Sequence, residues 1–127
     1  MAVNIFNNRK GKKVTVHVTN ANGTIVIAGN NSVSNVAIGD EFVIGAIVNQ
    51  LWYGCANGGA WILKRANSTT NTVVGVYDST GYCDYAGVGS PIPIRQNDDL
   101  VLELTNSASG YIMVELRKIG NNNFNKT

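Results

Sequence analysis

Residues 98–105 and 111–118 constrain the fold most, because both alternate apolar and polar positions with the period of two that only a β-strand uses. Leu100, Leu102 and Leu104 share one parity in the first stretch, as Ile112, Val114 and Leu116 do in the second. The intervening Asn106, Ser107, Ser109 and Gly110 are turn formers. A hairpin folded about Ala108 is therefore expected, with Leu104 opposite Ile112, Leu102 opposite Val114 and Leu100 opposite Leu116. Its other face, with Val101, Glu103, Met113 and Glu115, is mixed, as in a ribbon with one side in a core and one partly in water.

The same grammar recurs upstream. Val14, Val16 and Val18 alternate with Thr15, His17 and Thr19, and Asn22-Gly23 is the strongest short hairpin signal in the chain, placing Val18 opposite Ile27. Further strands are expected around Ala60 to Arg65, Val73 to Tyr77 and Tyr82 to Tyr85. Pro91 and Pro93 exclude their stretch from the centre of a sheet. Residues 42–48 do not alternate, so a strand there needs both faces covered; β-branched residues and Gly45 argue against the competing helix. Turn signals roughly every eight to twelve residues predict eight or nine short strands in an antiparallel β-sandwich, jelly-roll-like, with an up-and-down barrel as the alternative.

At 127 residues the chain makes one domain. It divides into an N-terminal segment 1–13, either a first strand or a mobile arm, a sandwich over 14–119 and a polar tail over 120–127, where Phe124 is the one apolar anchor. Charged residues are only 14% of the chain and the net charge is +2, too weak a field to imply a nucleic-acid partner. No apolar run is long enough to span a membrane as a helix. The N-terminus lacks a secretory signal pattern, so Cys55 and Cys83 are expected as free thiols in a reducing compartment, and Asn67-Ser68-Thr69 as a chance sequon.

Chemistry is sparse. His17 is the only histidine and points away from the core by its parity, with nothing to tie either cysteine to it as nucleophile. Metal-ligand spacing is absent: Asp40-Glu41 and Asp98-Asp99 sit just before strands and read as solvated turns. No enzyme activity, cofactor or metal is expected. Arg9, Lys10, Lys12 and Lys13 form the one dense charge run, either a solvated loop or a surface that meets an acidic protein, especially if Val3, Ile5 and Phe6 dock with it. Trp52, Tyr53, Trp61, Tyr77, Tyr82 and Tyr85 crowd the middle third, where they serve core and subunit contact or, alternatively, stack on sugars. An oligomer contact is expected at Phe42, Ile44, Ile47, Trp52 and Trp61.

Pro91-Ile92-Pro93-Ile94 followed by Asp98-Asp99-Leu100-Val101-Leu102-Glu103-Leu104, with Gly110-Tyr111-Ile112-Met113-Val114-Glu115-Leu116, resembles the small capsid decoration (cement) proteins of tailed bacteriophages, most nearly those of marine and cyanobacterial phages. The resemblance implies a β-sandwich, commonly a homotrimer, on the capsid exterior of a virion assembled in the host cytoplasm. Its partner would be the major capsid protein, whose neighbouring capsomers it bridges. The aromatic-rich middle equally suits a carbohydrate- or receptor-binding module of a fibre or tail.

Overall fold

The computed structural model describes residues 3–56, 58–66, 71–85, 92–95, 98–106 and 109–120. The Asn67 sequon, residues 87–91, the hairpin tip at 107–108 and the tail 121–127 with Phe124 lie outside the described residues.

Two antiparallel sheets face each other, and no helix occurs among the described residues. The first contains β1 (Val3–Phe6), β2 (Lys13–Thr19), β10 (Gly110–Gly120), β4 (Val43–Cys55) and β7 (Thr80–Asp84) in that order, with β8 (Pro93–Arg95) also paired to β4. The second runs β3 (Gly23–Ile25), β9 (Asp99–Thr105), β5 (Ala60–Ala66) and β6 (Asn71–Asp78). Reading across the sandwich, β2 faces β3, β10 faces β9, β4 faces β5 and β7 faces β6, each pair being consecutive in the chain. That wrapping is a jelly roll. Pro93 sits in a three-residue strand bonded to β4, the kind of marginal position proline tolerates.

Both expected hairpins are overturned by this wrapping. β9 pairs with β3 and β5, whereas β10 pairs with β2 and β4, so residues 98–105 and 111–118 lie in different sheets. Leu100 and Leu102 meet Ile112, Val114 and Leu116 in one core, all at zero exposure. They meet through the thickness of the sandwich instead of side by side. Likewise Gly23 opens β3 and bonds toward Leu102, so Val18 and Ile27 share the core without sharing a ladder. The corners explain the redirection. Asn20, Ser79 and Asn106 have φ of 56°, 62° and 59°, each at a point where the chain leaves one sheet for the other. Asparagine tolerates this left-handed conformation better than most side chains. Asn20 also fastens its corner, its amide N–H donating to the Gly110 carbonyl and its Oδ1 accepting from the Gly110 N–H, both at 2.9 Å.

β4 corrects the reading of residues 42–48. Along its ladder with β10, Gln50 is opposite Glu115 and Val48 opposite Leu116, leaving Asn49 as a bulge; Gly45 is opposite Ile119 and Val43 opposite Gly120, leaving Ile44 as another. Each bulge moves the inward side to the other parity. Val43, then Ala46 and Val48, then Leu51 can therefore all be fully buried on one face. The run is apolar at both parities because both parities take turns inside, and only Phe42 and Ile44 remain exposed, at 43% and 45%.

A candidate docking end and the outer sheet face

The N-terminal segment is a strand and not a free arm. Val3 pairs with Val18 and Ile5 with Val16, and both side chains are half-buried against the core. Phe6 is exposed and lies edge-on to His17, ring centres 6.1 Å apart.

Beyond β1 the chain enters a buried ionic clasp that sequence reasoning missed. Glu41 and the Lys118 side chain have zero exposure, with Lys118 Nζ 2.7 Å from Glu41 Oε1. The ammonium also donates to Asn8 Oδ1 at 2.6 Å and to the Val36 carbonyl at 3.2 Å, which uses its three hydrogens. Glu41 accepts further bonds from the Ile38 N–H at 3.1 Å and the Gly11 N–H at 2.6 Å. Asn8 closes the circuit through Nδ2, which donates to the Val36 carbonyl. Every member is satisfied, the condition under which a buried charge pair is tolerated. Glu41, expected in a solvated turn, is thus a core residue. Its neighbour Asp40 is the exposed one, paired with Lys10. No local sequence signal joins residues 8, 41 and 118.

On the outer side of the same end lies a cleft of about 390 Å³. Arg9, Lys12 and Lys13 line it as the charge run suggested, and the fold adds Arg117, opposite Lys13 across the β2–β10 ladder. Glu115 is the single carboxylate in its wall. It is engaged by Asn49 Nδ2 at 3.5 Å, Gln50 Nε2 at 3.2 Å and Lys13 Nζ at 3.7 Å. Lys10 points elsewhere, to Asp40.

Four residues along β10 from Arg117, a row of outward side chains crosses the first sheet. His17 is opposite Met113, Met113 opposite Trp52 and Trp52 opposite Tyr82. The Trp52 and Tyr82 rings lie 5.4 Å apart at 31°, and the Tyr82 hydroxyl donates to Gln50 Oε1 at 2.6 Å. The next row holds Tyr111 over Gly54, where an added Cβ would come within 2.7 Å of the tyrosine ring. The middle-third aromatics therefore divide. Trp61 is wholly buried and donates its indole N–H to the Gly54 carbonyl at 3.2 Å, so it cannot form the subunit contact expected of it. Tyr53, Tyr77 and Tyr85 also pack inward, Tyr77 and Tyr85 sharing a hydroxyl contact of 3.3 Å. Burial, helped by that contact, pushes the Tyr77 hydroxyl far above its ordinary pKa. Trp52 remains half-exposed and Ile47 half-buried.

The second sheet's outer face is different in kind. Ile62 is opposite Val76, and Lys64 is opposite both Val73 and Val101. Val73 and Val76 are 51% and 62% exposed, and one ion pair, Lys64 with Glu103 at 3.0 Å, interrupts the aliphatic surface. Cys55 and Cys83 are free and half-buried. No group of three or more His, Cys, Asp or Glu side chains comes together among the described residues.

The fold and these surfaces define a jelly-roll β-sandwich. Comparison with protein-family models, curated proteins and solved structures returns no match.

Proposed function

We propose that the protein is a structural virion component that decorates the exterior of a tailed-phage capsid, as a homo-oligomer, most simply a trimer, bridging neighbouring copies of the major capsid protein. The observation that carries this reading is the aliphatic outer face of the four-stranded sheet, where Val73 and Val76 stand exposed beside half-buried Ile62 and Val101. A largely aliphatic face, broken only by the Lys64–Glu103 pair, suits a surface covered by protein. Exposed Phe42 and Ile44 extend the same argument to the start of β4. Support also comes from the sequence resemblance and from the jelly roll, an architecture common in capsid and lectin domains. Modest contacts repeated by each protomer add through avidity, and binding only the folded state stabilises both partners. Phe6 with Arg9, Lys12 and Lys13 gives a second contact, suited to an acidic capsid surface.

The test is co-sedimentation with undecorated heads. Deleting residues 2–13 is uninformative, because Asn8 and Gly11 belong to the clasp and the truncated chain loses fold along with contact. Val73→Asp with Val76→Asp changes exposed side chains only. The double variant should stay folded, sediment as a smaller species and fail to pellet with heads. If it decorates heads as well as the natural chain, the reading is wrong. Charge reversal at Lys12 and Lys13 should weaken attachment most at low salt.

A further inference from the structure

We propose that the outer face of the six-stranded sheet binds an anionic oligosaccharide, pyranose rings bearing carboxylate or sulfate groups, with a ring on the Trp52–Tyr82 shelf and an anionic substituent in the Lys13–Arg117 cleft. This activity is distinct from the main capsid contact, which is carried by the aliphatic face of the opposite sheet, although it draws on the same cations, Arg9, Lys12 and Lys13, as the second capsid contact.

Three features of the face converge on that ligand. The half-exposed Trp52 and Tyr82 rings offer π surface, to which the apolar C–H side of a pyranose packs. Beside them Gln50 and Glu115 form a linked set of amide and carboxylate: Tyr82 bonds to Gln50 Oε1 and Gln50 Nε2 to Glu115 Oε2. These groups are held in place before any ligand arrives, which lowers the ordering cost of hydrogen-bonding ring hydroxyls. Beyond them the cleft sets four cations against one carboxylate, so its charge calls for an anion. The cleft begins at Glu115, the row next to Met113, and ends at Arg117, about 13 Å along β10 from the Met113 row, so a ligand that lies on the shelf and reaches Arg117 spans more than one sugar. An acidic peptide would satisfy the cations but would leave the aromatic shelf and its tethered amide without a role. A neutral sugar would leave the cations without one.

The experiment is titration of the full chain with oligogalacturonate, carrying carboxylates, and dextran sulfate, carrying sulfates, against neutral dextran and poly-glutamate. Saturable binding to at least one anionic sugar is expected, with none to dextran and weaker binding to poly-glutamate. Which sugar binds identifies the anionic group. Trp52→Ala and Arg117→Ala should each weaken the interaction by roughly tenfold or more. Tyr82→Phe, which keeps the ring and loses the bond to Gln50, should give a smaller loss and controls for misfolding. Iodide quenching supplies a separate readout: Trp61 is buried, so the accessible emission is that of Trp52 and should become protected on binding. Equal affinity for poly-glutamate, unchanged affinity in Trp52→Ala, unaltered quenching, or no binding to either anionic sugar would each overturn the proposal. Val73→Asp with Val76→Asp should leave sugar binding intact, so the two functional readings fail separately.

Discussion

Asp40 and Glu41 are adjacent in the chain and each pairs with a lysine, yet one pair is in water and the other in the core. Asp40, with a side chain 70% exposed, meets Lys10; Glu41 meets Lys118 with both side chains at zero exposure. The hydrogen bond and charge of Lys10 hold the Asp40 carboxyl below its ordinary value, but solvent screens such a pair and its net worth is small. The buried pair is different in kind, because removing one partner strands the other without water. What a charge does for this protein is decided by the bonds waiting for it: the inner carboxylate accepts from the N–H groups of Gly11 and Ile38 as well as from its lysine, all out of water.

Mutation should separate the two ion pairs. Lys118→Met should have the largest effect, a loss of about 3–5 kcal/mol of unfolding free energy in urea denaturation, since Glu41 would be left buried without its partner. Adding Glu41→Gln should recover part of that loss and not all of it, because the amide oxygen serves only some of the N–H groups of Gly11 and Ile38. Full recovery would mean that the clasp contributes by charge alone.

Tyrosine gives the same contrast at high pH. Tyr77 is inside with its pKa strongly raised by burial first, then by Tyr85, whereas Tyr82 is on the surface, where desolvation and then the neighbouring Asp84 carboxylate also raise it but solvent screens the effect. A raised folded value means that the folded state holds its proton more tightly than the unfolded one. The associated stability is whole below the unfolded value, about 10, and drains away as pH climbs from there toward the folded value. Melting temperature should accordingly fall above about pH 10, and Tyr77→Phe should flatten that fall more than Tyr82→Phe, whose raised hydroxyl is screened by solvent. The smallest effect is expected at the surface pair: Lys10→Ala should leave the melting temperature unchanged at neutral pH. A clear drop there would show that the outer pair is part of the clasp.

Strand identity was legible because alternation survives in any sheet. Leu100, Leu102, Ile112, Val114 and Leu116 reach the core as their parity requires. Partner identity was not, because an inward face looks the same whether its neighbour lies beside it or across the sandwich. The left-handed Asn20 and Asn106 make that choice, and asparagine in a turn does not announce its φ. The bulges at Ile44 and Asn49 hid in the same way, as a loss of alternation that reads as two apolar faces. Of the sites, the cations at Arg9, Lys12 and Lys13 were visible as a run, but Arg117 joins them only through the β2–β10 register. Trp52 and Trp61 were indistinguishable by type, and strand parity alone sends one out and the other in.

The central place of β10 has a consequence for the order in which the molecule comes together. β2 and β4 are neighbours only through β10, the last of the described strands to be synthesised, and Glu41 waits for a lysine 77 positions further on. The four-stranded sheet needs nothing beyond β9. During synthesis, then, half the sandwich has its strands in hand while the other half is split into β1–β2 on one side and β4 with β7 and β8 on the other. Closure must come late, in one step that inserts β10 and neutralises the clasp together. Contacts of such long sequence separation make folding slow, on a scale of milliseconds to seconds for comparable all-β domains. A nascent chain stopped before Tyr111 should expose the edges of β2 and β4 and be readily cut by protease.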